Sequence, residues 1–276
     1  MTACLETGPE GAPAVMLSHS HFSDHRMWRP QIEALAERYR VIAYDTRGHG
    51  GSGVPKGPYS LDDLAGDALE LMDALGLDEV HFVGLSMGGM IGMTLALQAP
   101  ERVRSLLLCD TAAEMPAGIW DERIATARET GIAPLLEPTM SRWFTPEFRA
   151  SSPETIAWIR GIASGTATDG YIACAEAIKA MRLVPRLGDI RAPTRVIVGT
   201  QDPATPVAAA EVLAQGIPGA DLVVIEGAAH LANLEQPAAF TEAMLEFLGA
   251  HAAPDAHRQG ATASPRPASQ ADSELR

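Results

Sequence analysis

Short unbroken apolar runs alternate along this chain with longer stretches in which apolar positions recur every three or four residues. That alternation predicts buried strands separated by amphipathic helices. The first buried strand is predicted at 14–18 (Ala-Val-Met-Leu-Ser), after a turn-rich start with room for one brief strand near 2–6. A helix follows over 27–39, with Ile32, Leu35 and Ala36 on one face, and then a strand at 41–44. Ser60 reads as an N-cap with Asp63 three residues on, opening a helix whose face carries Leu61, Leu64, Ala68, Leu71, Met72 and Leu75 and which stops at Gly76. A strand at 80–83, a helix at 87–99 and a strand at 105–109 complete a repeated strand–helix order. Such an order implies an α/β fold, a mostly parallel sheet with helices on both faces.

From 110 to about 190 the pattern changes, and no β-rich apolar run appears. Helical stretches interrupted by Pro116, Pro134, Pro138, Pro146 and Pro153 carry three of the four tryptophans, Trp120, Trp143 and Trp158. An all-helical insertion between sheet strands predicts a cap over the strand ends. The sheet resumes at 194–199, followed by a helix around 206–215, a strand at 221–225 and a last helix from 237 to 248. The expected division is therefore a core over 1–110 and 191–249, a cap over 111–190, and a disordered Ala-, Pro-, Ser- and Gln-rich tail over 250–276.

The chemistry is expected where strand 80–83 runs into Gly84-Leu85-Ser86-Met87-Gly88. A serine hydroxyl is a weak nucleophile until it is exposed, given a base, and faced with N–H donors for the oxyanion. A Gly-x-Ser-x-Gly turn between strand and helix does the exposing, and the Met87 N–H at the helix start faces the oxyanion. The loop after strand 14–18 supplies the second donor, which by position is His21. Asp202 follows the strand at 194–199 and His230 the strand at 221–225. In an open parallel sheet these loops gather at one edge, so Ser86, Asp202 and His230 stand in the order nucleophile, acid, base. Asp110, which also directly follows a strand, competes for the role of acid.

Length and composition narrow the class. The 276 residues suffice for a full core, and 20% charged with 46% hydrophobic residues is a soluble balance. A net charge of −14 opposes binding to nucleic acid or an anionic membrane, leaving a small-molecule substrate as the expected partner. Cys4, Cys109 and Cys174 have no paired spacing, and no signal peptide or long apolar span is visible, which points to the cytoplasm. The choice between monomer and homodimer is not readable.

Three further stretches carry polar chemistry. His19-x-His21-x-x-Asp24-His25 comes close to a zinc-binding run, but one extra residue separates the pairs and later ligands are missing, so no metal is expected. Arg47-Gly48-His49-Gly50 lacks the Lys-Ser/Thr of a phosphate loop and reads as a structural turn. Arg142-Trp143 in the cap offers a cation beside an aromatic wall for a substrate carboxylate, with Trp28 lining the pocket below.

Taken together the chain resembles an α/β-hydrolase, and within that superfamily the 3-oxoadipate enol-lactonases of aromatic-acid degradation. The residues that carry the resemblance are Tyr44-Asp45-Thr46-Arg47-Gly48-His49-Gly50, Gly84 to Gly92, Arg142-Trp143-Phe144-Thr145-Pro146, Asp202-Pro203-Ala204-Thr205-Pro206, and Ala229-His230-Leu231 with Asn233-Leu234-Glu235-Gln236-Pro237. The resemblance implies Ser86 as nucleophile, Asp202 as acid, His230 as base, oxyanion donors on Met87 and His21, and no cofactor. It implies opening of a lactone through an acyl-serine. A general carboxylesterase, a carbon–carbon bond hydrolase and a perhydrolase share the triad, and a non-catalytic receptor of the same fold is the alternative from another class. Three departures are visible: His19-Ser20-His21-Phe22 replaces the usual Asn-Ser-Leu-Gly, Asp110 stands where asparagine is usual, and the tail has no counterpart. The first strand of the fold also lacks a match, so the recorded start is expected to be truncated.

Overall fold

Seven strands pair into one sheet in the order β1-β3-β2-β4-β5-β6-β7 in a computed structural model that describes residues 1–252. They are β1 (Cys4–Thr7), β2 (Ala14–Ser18), β3 (Arg40–Tyr44), β4 (Val80–Leu85), β5 (Val103–Cys109), β6 (Thr194–Gly199) and β7 (Asp221–Ile225). All neighbours run parallel except the edge strand β1, which lies antiparallel on β3 with Cys4 opposite Tyr44. The unbroken apolar runs are the central strands: every residue of β2 and β4 is buried, as a sheet covered on both faces requires.

The chain winds outward from β2 to β3 and returns to β4 on the opposite side of β2. Loops leaving β2 and β4 therefore part at a crevice above the strand ends, the place where open parallel sheets bind ligands. Register brings Ser18, Gly84 and Leu108 side by side, so these strands end nearly level.

The helices follow the same logic. The expected helix over 27–39 is shorter, a single 3-10 turn over His25–Trp28 and then α1 (Arg29–Leu35). Asp24 caps the turn by accepting from the Arg26 N–H, and Pro30 fits only in the first turn of a helix, which divides the stretch in two. In α2 (Leu61–Ala74) the Ser60–Asp63 capping box forms as read, each side chain bonding the other's backbone N–H. α3 (Met87–Gln98) is buried almost throughout, and a Cβ at Gly92 would come within 2.7 Å of Phe82, so glycine lets α3 press onto the sheet.

Between β5 and β6 come five helices and no strand: α4 (Ala117–Thr130), α5 (Leu136–Trp143), α6 (Pro146–Ser151), α7 (Pro153–Ser164) and α8 (Thr168–Ala180). Pro146 and Pro153 start helices here, occupying the first turn where no N–H is needed. The segment enters and leaves through one neck, where the Leu183 N–H donates to the Ala113 carbonyl at 2.9 Å and Glu114 bridges Arg182. α9 (Val207–Gly216), the short α10 (Ala232–Glu235) and α11 (Pro237–Ala250) are the last helices among the described residues. The disordered tail expected over 250–276 lies outside the described residues from 253 on, and its first residue closes α11. Among the described residues no helix is long and apolar enough to cross a membrane.

Candidate active site

Ser86 joins β4 to α3 with φ 56° and ψ −115°, a strained conformation for a residue with a side chain. The glycines two positions either side make the turn possible. A Cβ at Gly84 would stand 2.2 Å from the Gly88 carbonyl oxygen, and one at Gly88 would stand 2.1 Å from that of Ser18. The turn is braced from β5: the Ser86 N–H donates to the Cys109 carbonyl at 2.9 Å, and Thr111 Oγ1 donates to the Ser86 carbonyl at 2.7 Å.

His230 and Asp202 meet from the loops after β7 and β6, with Nδ1 2.8 Å from Asp202 Oδ2. Asp202 also accepts from the Ala204 and Thr205 N–H groups at 2.7 and 3.1 Å and from Thr205 Oγ1 at 2.6 Å. Burial alone would raise the Asp202 pKa; His230 and the Thr205 donors outweigh it and hold the carboxyl below its ordinary value. An ionised Asp202 accepts the Nδ1 proton, which leaves His230 Nε2 as the basic nitrogen. Ser86 and His230 line one cavity of about 360 Å³, with no direct hydrogen bond between them. Free enzymes commonly show such looseness before substrate tightens the site.

Asp110, the rival acid, shares no hydrogen bond with His230, which bonds Asp202. Its Oδ1 accepts the Gly199 N–H at 2.8 Å and its Oδ2 has no partner among the described residues. Complete burial, reinforced by the charge of Asp202, pushes its pKa well up.

The loop after β2 brings His21 to the cavity. Phe22 takes φ 70°, a left-handed conformation that favours glycine, and its N–H donates to His49 Nε2 at 3.1 Å. The N–H groups of His21 and Met87 have no protein acceptor among the described residues. The His21 ring donates from Nε2 to the Tyr171 carbonyl at 3.0 Å and lies edge-on to Trp120. Burial first, then the charges of Arg123 and His19, lower its pKa to about 3 despite that bond.

Arg142 and Trp143 line the cavity as read from the sequence, but Trp28 does not. Trp28 is fully buried in the core, its ring 6.0 Å from that of Phe240 in α11. The turn before α1 points it toward α11, and the expected pocket role falls away. Arg123, Trp120 and Tyr171 line the cavity and were not singled out by the sequence. The Trp120-x-x-Arg123 spacing, one turn apart on α4, was the available signal.

Within the zinc-like run, Asp24 and His25 converge with Asp45, and His19 and His21 do not join them. His19 Nε2 accepts the Thr46 N–H at 2.9 Å, Asp24 holds Arg26 at 2.6 Å, and His25 meets Asp45 at 2.7 Å. Asp24, His25 and Asp45 lie together, and Arg26 and the Gly51 N–H occupy the two carboxylates further. Arg47 pairs with Asp67 and sits over the Tyr59 ring, a structural role.

Two short segments of the resemblance turn out to be bonded to each other. Glu235, buried in α10, accepts from the Thr145 N–H at 3.1 Å, from the Thr145 hydroxyl, and from the Ala229 N–H at 2.9 Å. Beside it the Leu231 N–H donates to the Trp143 carbonyl at 3.0 Å. The helical segment above the site is thus fastened to the loop that carries His230.

Comparison with known proteins agrees with this architecture. The family model described as "alpha/beta hydrolase fold" matches residues 13–237. 3-Oxoadipate enol-lactonase 2 of Acinetobacter baylyi is 40% identical over 86% of this chain and 89% of its own length. A putative carbamate hydrolase of Azorhizobium caulinodans is 34% identical over 87% of this chain and 92% of its own length. The crystal structure of the enol-lactonase from Burkholderia xenovorans LB400 superposes with a TM-score of 0.88 at 40% identity, covering 90% of this chain and 96% of that one.

Proposed function

The chain belongs to the α/β-hydrolase family, and from that premise we propose that it is a serine hydrolase of small carboxylate-bearing lactones or esters, with 3-oxoadipate enol-lactone as the preferred substrate. The observation that carries the reading is the 2.8 Å contact between His230 and Asp202 on the cavity that Ser86 also lines. His230 Nε2 takes the Ser86 proton as Oγ attacks the ring carbonyl. The oxyanion forms between the Met87 and His21 N–H groups, and the start of α3 adds its positive end. Collapse breaks the ring C–O bond, and the proton on His230 passes to the leaving oxygen, which stays attached to the acyl-serine. His230 then deprotonates a water that attacks the acyl carbonyl; Ser86 leaves with the proton and the product carries a new carboxylate.

Arg142 supports an acidic substrate, and residues 111–190 serve as the cap that closes the site over it. Because His21 supplies only its backbone N–H to the oxyanion, its imidazole need not titrate during turnover. The names of the relatives at 40% identity favour the enol-lactone, and the carbamate hydrolase relative makes a carbamate the second substrate to test. The three cysteines are unpaired, in keeping with a cytoplasmic protein.

Turnover of 3-oxoadipate enol-lactone, with Ser86→Ala as control, tests the proposal. The variant is expected to lose on the order of 10⁶-fold in kcat, as removal of a triad nucleophile does. A wild-type protein inert toward the lactone, simple esters and a fluorophosphonate probe would favour the receptor reading.

A further inference from the structure

In this acid-rich chain, with 35 Asp and Glu against 21 Lys and Arg, most arginines hold a carboxylate. Arg26, Arg40, Arg47, Arg102 and Arg195 are each paired with one. Arg123 and Arg142 are half-buried in the active-site cavity, and neither has an acidic partner among the described residues. Arg142 donates to Thr139 Oγ1 at 2.9 Å. Arg123 makes no hydrogen bond to protein among the described residues; its guanidinium carbon lies 4.8 Å from the centroid of the Trp120 ring.

Two like charges share one cavity only at a cost in desolvation and repulsion. Burial and then the charge of Arg123 lower the Arg142 pKa to about 10, and burial lowers that of Arg123 as well. An anion that enters the cavity relieves both effects. The ring of Trp120 restrains the Arg123 guanidinium while leaving its N–H edge free, the geometry suited to a planar carboxylate. The two arginines come from α4 and α5, so the helical segment assembles the pair above the serine.

We propose that Arg123 is a substrate-binding residue that, together with Arg142, clamps a carboxylate on the acyl side of the substrate and selects acid-bearing lactones and esters over neutral ones of equal size. This rests on the serine-hydrolase reading of Ser86 and assigns Arg123 a role in it. The lone cation beside an aromatic becomes a two-cation site, in which loss of either arginine weakens the grip on the anion.

A matched pair of substrates tests the clamp: mono-p-nitrophenyl glutarate and p-nitrophenyl valerate, which differ by a carboxylate in place of a methyl group. The wild type is expected to prefer the glutarate ester in kcat/KM. R123Q is expected to lower that preference by about tenfold to a hundredfold, through KM on the anionic ester, as loss of a charged hydrogen bond does. R123K is expected to restore part of the preference, and R123Q with R142Q to remove it. Should R123Q fail to fold, inhibition of the wild type by valerate against valeramide gives the same reading, with the anion expected to bind at least about tenfold tighter. An unchanged preference in R123Q, a parallel loss on both esters, or equal inhibition by acid and amide would overturn the clamp. A wild type that cleaves both esters without preferring the anion removes the clamp and leaves the hydrolase reading standing. If it cleaves neither and ignores a fluorophosphonate, the Ser86 reading fails and the clamp falls with it.

Discussion

Two buried carboxylates stand at the ends of neighbouring strands, and their surroundings shift their pKa values in opposite directions. Asp202 accepts from three protein donors besides His230, which together hold its pKa down, whereas Asp110 accepts from the Gly199 N–H in a fully buried site that pushes its pKa up. Asp202→Asn is expected to lower kcat by about 10⁴-fold, because an amide facing Nδ1 leaves His230 in the wrong tautomer. Asp110 bonds the Gly199 N–H while His230 bonds Asp202, so Asp110→Asn is expected to keep kcat within a fewfold of wild type. Steady-state kinetics of the pair decide the assignment, and loss confined to the second variant would reverse it. The position of Asp202 after β6 was legible in the sequence. The state of Asp110 was not, since burial and the nearness of Asp202 exist only once β5 and β6 are paired. Gly88 shows the same limit in reverse. The sequence marks it as part of the turn, and the fold supplies the reason, a Ser18 carbonyl oxygen 2.1 Å from where a Cβ would stand. Gly88→Ala is expected to destabilise the protein by about 1–3 kcal/mol in a urea melt, since the obstacle is backbone and cannot rotate away.

Elements were most legible where a local rule decides them. The Ser60–Asp63 box is set within four residues, and α2 begins there. Ser60→Ala is expected to cost about 1 kcal/mol of stability in the same melt without touching turnover, because the cap is exposed and far from the cavity. Legibility failed where an element's end depends on something distant. The helix read over 27–39 loses both ends, one to a turn capped by Asp24 and one after Ala36. Trp28 goes with it into the contact with α11, and periodicity alone does not tell a pocket wall from a core wall. Arg123 escaped notice for a related reason. A guanidinium on an amphipathic helix looks solvated until the lack of an acid beside it can be seen. Glu235 is the third case, a charged residue whose three donors come from Ala229 and from Thr145, ninety positions away. Glu235→Gln puts an amide N–H₂ among those donors, and a loss of about 1–3 kcal/mol is expected in thermal or urea unfolding, together with reduced kcat.

At the scale of the molecule, acid sensitivity follows from its histidines. His19, His21, His49 and His81 are buried, and burial is the leading cause that lowers each pKa, to about 3 for His21 and about 4 for His81. In the unfolded chain they titrate near 6.5. Below about pH 6.5 the unfolded chain therefore takes up protons that the folded chain refuses, and stability falls as pH falls. Each such histidine adds a slope approaching about 1.4 kcal/mol per pH unit. Asp110 and His25, whose pKa values are raised in the fold, act in the opposite sense and offset part of this. Asp45, held at about 2, and Asp202 add to the acid loss only below about pH 4. The urea midpoint is expected to drop between about pH 6.5 and 5, well before carboxylates protonate. A flat midpoint across that range would mean these rings are charged or solvated.

The bonds from Glu235 to Thr145 and from Leu231 to Trp143 have a consequence for traffic. A helical segment bonded to Leu231 and Glu235, on either side of the turn that follows His230, is expected to disturb the His230–Asp202 contact if it lifts. The exposed lining residues Pro116, Ile119, Pro203 and Pro206 frame a mouth between the starts of α4 and α9. The girth of that mouth is then expected to limit which acyl groups reach Ser86, with no hinge motion required.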